Sequence, residues 1–206
     1  MKIIKNYNLK ELNTLKIEAI TKLYIEIDNL SELIIIIKLL SYFKVKYLLI
    51  GNGSKLLFAN DVIECVILKL SNKFSFIIEN NTNLIISSNL LLKNLILKFA
   101  EKDINFNASL YPIPCSIGGA IYMNCGANKT TISDNIKYVI ALNNKGKIKI
   151  FKKKECKFKY RYSIFQKNKW IIIGALFEIF KEKKEIIYKI IKNELLKRIK
   201  TQELSN

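Results

Sequence analysis

The chain has 206 residues, half of them hydrophobic, with 35 Lys and Arg against 17 Asp and Glu, a formal net charge of +18 and no histidine. This length makes one domain or two small ones and can bury about 68% or more of the unfolded chain's surface, so a packed core is expected rather than disorder. With no histidine, and four cysteines (Cys65, Cys115, Cys125, Cys156) that form no CxxC pair, the composition argues against a zinc or non-haem iron site. Any catalysis must use carboxylates, Ser, Tyr or Lys, or a cofactor.

The positive charge does not by itself point to nucleic acid. All but two of the basic residues are lysine, spread along the chain among abundant Ile and Asn, as an AT-biased coding sequence would write them. A nucleic-acid surface would be expected to use arginine, whose planar fork grips phosphate and guanine at two points. The charge reads mainly as solvated surface that also favours small anions, and a lysine-rich nucleic-acid binder is the alternative from another class. Free cysteines fit a reducing compartment. The N-terminus, MKIIKNYNLKELNTL, lacks a signal peptide's apolar run, and the longest such run, at 33–37, is too short to span a bilayer. The expectation is a cytoplasmic protein with neither membrane nor nucleic acid as partner.

In chain order, ITKLYIEI (20–27) alternates as a strand, and NLSELIIIIKLLSYF (29–43) reads as a helix with Asn29 or Ser31 as its N-cap. KYLLI (46–50) reads as a short buried strand running into GNGSK (51–55), and IECVILKL (63–70) as another strand. This βαββ unit, 1–71, is the expected first lobe. KFSFIIE and NLIISS read as strands about an Asn-rich turn, and LLLKNLILKFAEK (90–102) as a helix. A glycine-containing apolar stretch follows, YPIPCSIGGAIYMNCGA (111–127). Residues 135–152 read as a hairpin turning at 143–146, residues 169–180 as a strand buried on both faces. An amphipathic helix over 181–200 closes the pattern, with Ile187, Ile190, Ile191, Glu194, Leu195 and Arg198 at helical spacing. Residues 72–206 make the expected second lobe, and the class is α+β.

Three stretches could carry chemistry. In GNGSK, Gly51 and Gly53 free the backbone to turn its N–H groups toward one anion, with the Ser54 hydroxyl as a further donor. A plain strand-to-strand turn is the alternative. The third glycine and following helix of a dinucleotide fingerprint are missing. In CSIGGAIYMNCGA, Gly118 and Gly119 would let the backbone approach a ligand closely, and Asn124 and Gly126 repeat the opportunity; close backbone packing is the alternative. Five of the seven glycines fall in these two stretches, which suits a large phosphate-bearing cofactor lying across both lobes. In YRYS (160–163), an arginine in a chain otherwise committed to lysine offers a planar two-point grip on a carboxylate or enolate. A structural salt bridge is the alternative there.

Taken together, these stretches resemble the shorter subtype of one family, UDP-N-acetylenolpyruvoylglucosamine reductase. The likeness runs from Asn13 and Thr14 in NTLKIEA through LLIGNGSKLLF, IPCSIGGAIYMNCGA and KKECKFKYRYSIF to KRIKTQEL, nearly the whole chain; Tyr-Arg-x-Ser-x-Phe is its most specific piece. The resemblance implies a vanillyl-alcohol-oxidase/PCMH-type FAD-binding fold made of two α+β lobes. FAD would be held by Gly51, Asn52, Gly53 and Ser54 on one side and by Pro114, Ser116, Gly118, Gly119, Ala120 and Asn124 on the other. It also implies NADPH as hydride donor and a nucleotide-sugar substrate whose enolpyruvyl group is reduced to give UDP-N-acetylmuramate for peptidoglycan. Arg161 would be catalytic, stabilising the developing enolate, with Tyr160 and Ser163 at the substrate. Departures from the family's pattern are Lys55 for Asn, Cys115 for Gly, Pro112 for Gly, Ala108 for Glu and Glu203 for Pro. The family's third domain, with the serine that protonates the carbanion and a late glutamate, is expected to be absent, either encoded separately or lost. If lost, the chain would be an inactive flavin-binding remnant.

Overall fold

The computed structural model describes residues 1–80 and 82–201, so the departure at Glu203 lies outside the described residues. The first half gives β1 (Lys2–Asn8), β2 (Ile20–Ile27), α1 (Leu30–Tyr42), β3 (Tyr47–Ile50), β4 (Val62–Ile63) and β5 (Val66–Leu70). They make one sheet in the order β1-β2-β5-β3, with β4 beside β2. β1 is antiparallel to β2, and the other pairings are parallel. Sequence reading missed β1 because KIIKNYN has no apolar alternation: it is an edge strand with most positions exposed. The strand expected over 63–70 breaks at Glu64 and Cys65 into β4 and β5. Asn29 is the N-cap of α1: its Oδ1 accepts the Glu32 N–H at 3.0 Å, and the Glu32 carboxylate accepts the Asp28 N–H at 2.8 Å.

The second half gives β6 (Ile77–Glu79), β7 (Asn83–Ser87), α2 (Leu92–Ala100), β8 (Ile104–Asn105), α3 (Ile117–Tyr122), β9 (Gly126–Ala127), β10 (Thr130–Thr131), β11 (Ile136–Leu142), β12 (Ile148–Lys152), β13 (Ile171–Glu178), β14 (Phe180–Lys181) and α4 (Lys184–Thr201). Its main sheet is antiparallel throughout, β12-β11-β13-β7-β6, with the mostly buried β13 at the centre. The hairpin turns where expected, Asn143 N–H donating to the Lys147 carbonyl at 2.9 Å and Gly146 supplying a φ of +75°.

α1 carries Ile34–Ile35–Ile36–Ile37 and cannot satisfy so many apolar residues against one layer. It lies between the sheets. Leu33, Ile36, Ile37 and Leu40 join Ile27 and Leu68 of the first sheet and Leu142, Ile171 and Ile173 of the second in a single cluster. The far face of the second sheet is covered by α2, α3 and α4 over the largest cluster, which includes Phe99, Phe106 and Phe177. α4 buries Ile187, Ile191 and Glu194, but Leu195 is 39% exposed, so its apolar stripe is narrower than the spacing implied. Among the described residues no helix is long and apolar enough to cross a membrane. α1 holds the lobes together, and Leu40 and Ser41 at its C-terminal end line a cleft where the two lobes meet.

Candidate functional site

The two glycine stretches meet at that cleft. β3 runs out of the first sheet into the 51–55 turn, and the second lobe brings 112–119 up against it. The Asn52 side chain donates Nδ2–H to the Pro114 carbonyl at 3.0 Å, bridging the lobes directly. Gly53 has a φ of +67°, and a Cβ there would stand 1.9 Å from the Leu12 carbonyl oxygen, so the turn itself requires glycine. At Gly51 the constraint is approach: a Cβ would come within 2.5 Å of Ser116 Oγ. Ser116 in turn caps α3, accepting the Gly119 N–H at 3.2 Å, and the Gly118 N–H donates to the Ser88 carbonyl at 2.7 Å. Around this junction lies a cavity of about 1910 Å³. Ordinary small-molecule pockets run to roughly 300–1,000 Å³, so there is room for an extended dinucleotide.

Charges dispersed in sequence converge here. Nine cations line the cleft (Lys44, Lys46, Lys55, Lys69, Arg161, Lys167, Lys169, Lys197 and Arg198), and the one carboxylate among the described lining residues is Glu194. Lys69 donates to the Gly51 carbonyl at 3.4 Å, and burial pushes its ammonium pKa down, opposed in part by Glu26. Asn89, also in the wall, spends its Nδ2 on the Ser71 carbonyl (2.7 Å) and Ser75 Oγ (2.8 Å), leaving its buried Oδ1 with no partner among the described residues. Arg198 of α4 donates to the Pro112 carbonyl and so ties the last helix to the cleft wall.

Arg161 stands at the tip of a tight turn closed by reciprocal Lys159–Tyr162 backbone bonds of 3.0 and 3.1 Å. Its φ is +52°, a conformation that costs a non-glycine residue roughly 1–3 kcal/mol and persists only when neighbours hold it. They do: Asn124 Nδ2 donates to the Lys159 carbonyl at 2.9 Å, Gln166 Nε2 to the Arg161 carbonyl at 3.0 Å, and Ser163 Oγ to the Tyr122 carbonyl at 2.7 Å. The guanidinium lies 5.5 Å from the Tyr160 ring, and no carboxylate among the described residues pairs with it. The salt-bridge alternative therefore fails, and the side chain lines the cleft.

Of the residues singled out from sequence, the structure brings Gly51, Asn52, Gly53, Ser54, Pro114, Ser116, Gly118, Gly119 and Arg161 to the cleft. It does not bring four others. Ala120 is wholly buried in the second-lobe core. Asn124 and Ser163 are buried and turned to backbone carbonyls, supporting the Arg161 turn from behind. Tyr160 is 90% exposed, its ring against the Arg161 guanidinium and outside the cleft lining. Sequence reading missed Lys69, which looks like any outward residue of a strand, and Asn89, which carries no local signal at all.

The sequence profile of the FAD binding domain family matches residues 21–152. The UDP-N-acetylenolpyruvoylglucosamine reductase of Carboxydothermus hydrogenoformans is 33% identical over 189 residues, covering 91% of this chain and 63% of that protein. The enzyme of the same name from Francisella tularensis subsp. tularensis is 33% identical over 190 residues, covering 89% and 65%. The chain thus spans a little under two thirds of the length of these relatives. The crystal structure of the UDP-N-acetylenolpyruvylglucosamine reductase (MurB) from Thermus caldophilus matches 98% of this chain and 70% of its own with a TM-score of 0.83; at 21% identity this is a likeness of fold. The fold is the vanillyl-alcohol-oxidase/PCMH type expected. With well over half of its length inside the family profile, this chain belongs to the FAD binding domain family, as a homologue of the UDP-N-acetylenolpyruvoylglucosamine reductases.

Proposed function

We propose that this chain binds FAD across the cleft and forms the flavin-bearing part of a reductase that converts the enolpyruvyl ether of UDP-N-acetylglucosamine to UDP-N-acetylmuramate. With that go NADPH as hydride donor and a cytoplasmic place in peptidoglycan synthesis. The observation that carries the proposal is the junction itself: Asn52 bonded to Pro114, and Gly51 closed on Ser116, join two glycine turns from separate lobes at one cationic cleft.

The residues fit the cofactor. A diphosphate would give Lys69 a closer counter-charge than Glu26, beside the bare backbone of Gly51, Gly118 and Gly119. Tyr122, Phe165 and Trp170 would supply an apolar wall that keeps water from a flat ring. Bound flavin supplies hydride transfer, which explains how a chain without histidine can be an oxidoreductase. Arg161, held in its turn by Asn124 and Gln166 and with no carboxylate partner among the described residues, would hold the substrate carboxylate and the negative charge that grows beside it, an effect commonly worth about 3–4 kcal/mol. Titration of the purified chain with FAD should give a saturable flavin complex, bleached by NADPH. Failure to take up FAD at any concentration up to its solubility would overturn the proposal.

A further inference from the structure

Lys69 differs from the other lysines of the cleft in where its strand puts it. β5 is an inner strand, so Lys69 stands between Glu26 of β2 and Ile50 of β3, while its neighbours Leu68 and Leu70 turn into the core around α1. The side chain is half-buried, whereas the other six lysines of the lining are exposed. Its Nζ comes to the cleft beside Gly51 and donates to the Gly51 carbonyl at 3.4 Å, a long hydrogen bond. Among the described residues no carboxylate forms an ion pair with it, Glu26 included. The nitrogen is seated in the wall, open to solute and loosely held.

The surroundings of this amine gather anions. Eight further cations line the cleft, against the one carboxylate of Glu194 among the described lining residues. Small phosphate-bearing solutes are therefore the ones the cleft concentrates beside Nζ. Burial also lowers the Lys69 pKa, which gives it a larger share of free amine at neutral pH than an exposed lysine has.

We propose that Lys69 is an acylation site for small acyl phosphates, the mixed anhydrides of a carboxylic acid and phosphoric acid. The cleft cations hold the phosphate group while Nζ meets the acyl carbon. The ammonium gives one proton to solvent, and the neutral amine attacks the carbonyl carbon. A C–N bond forms, the C–O bond to phosphate breaks, and a second proton passes from nitrogen to the departing phosphate. The product is an uncharged amide where a cation stood, so acylation withdraws the partner that a cofactor diphosphate would use. That consequence rests on the proposed flavin binding, whereas the acylation itself needs only the cationic cleft and the amine.

The test is acetylation of the purified, flavin-free chain with acetyl phosphate, each lysine being followed in time by peptide mapping. Lys69 should acetylate severalfold faster than Lys93 and Lys145, which are exposed and lie outside the cleft lining. Inorganic pyrophosphate should slow Lys69 and leave Lys93 and Lys145 unchanged. The N-hydroxysuccinimide ester of acetic acid, a neutral donor, should show a weaker preference for Lys69. Equal rates at all three lysines with acetyl phosphate would overturn the proposal. So would a preference just as strong with the neutral ester, because recruitment of the anion would then play no part. FAD titration of the chain before and after acetylation at Lys69 separates the two readings. Weaker uptake after acetylation supports both, and unchanged uptake removes the consequence for the cofactor. No uptake by either form faults the flavin reading, and the mapping still decides the acylation.

Discussion

Lys69 shows how much one side chain can depend on its surroundings. Burial lowers its pKa in the ligand-free protein, so between that lowered value and the ordinary lysine value near 10.4 the unfolded chain binds more protons than the folded one. The burden on stability is therefore full below the folded pKa and is relieved as pH rises through the window. A diphosphate reverses the shift, so FAD affinity should be full below the lowered pKa and fall as pH rises through it. In Lys69→Met that alkaline fall should disappear and affinity at neutral pH should drop, as flavin titrations across the range would show; an unchanged pH profile counts against the ion pair. Arg161 makes a second case. Arg161→Lys keeps the charge but loses the planar fork, so FAD uptake and its reduction by NADPH should persist. Transfer to the enolpyruvyl group, assayed in the complete enzyme, should fall about 10²–10³-fold. Arg161 stood out in sequence because it is one of two arginines among so many lysines. Tyr160 and Ser163, assigned with it, could not be sorted without the turn that buries Ser163 and leaves Tyr160 exposed.

Among the elements, α3 separates what packing requires from what a ligand requires. Gly53 is held by its own backbone conformation, but a Cβ at Gly119 would meet only Ser116 Oγ at 3.4 Å, ordinary contact. Gly119→Ala should therefore leave the ligand-free protein as stable or up to about 1 kcal/mol more stable, since alanine is the better helix former. It should nonetheless weaken FAD binding, because the added methyl enters the cleft. Denaturant unfolding and flavin titration of the same variant check both halves. α3 itself was not legible from the sequence: its six residues are too few to show a helical period, and the stretch read only as apolar with glycines. The long hairpin, β13 and α1 were legible because their apolar patterns extend over enough residues to be told apart.

For the whole molecule, α1 is the shared core of both sheets. The lobes should consequently melt as one unit, and Ile37→Ala, at a site with no exposure, should cost about 2–5 kcal/mol and lower a single transition instead of splitting it. Two separated transitions in calorimetry would contradict the shared core. FAD at a hundred times its Kd should add about 2.7 kcal/mol to that same transition. The gathering of lysines also belongs to this scale, since cations from both halves of the chain line one cavity only after the lobes have closed on α1.

Sequence alone determined the α+β pattern, the turn at Gly53 and the presence of an unusual arginine, because periodicity, backbone freedom and residue choice are local properties of the chain. It also carried the family likeness, through motifs that survive as short contiguous strings. The tertiary structure decided which residues share the cleft and that Asn124, Ser163 and Tyr160 lie outside its lining. Those outcomes depend on side-chain direction and on approach between segments distant in sequence, which no local pattern encodes.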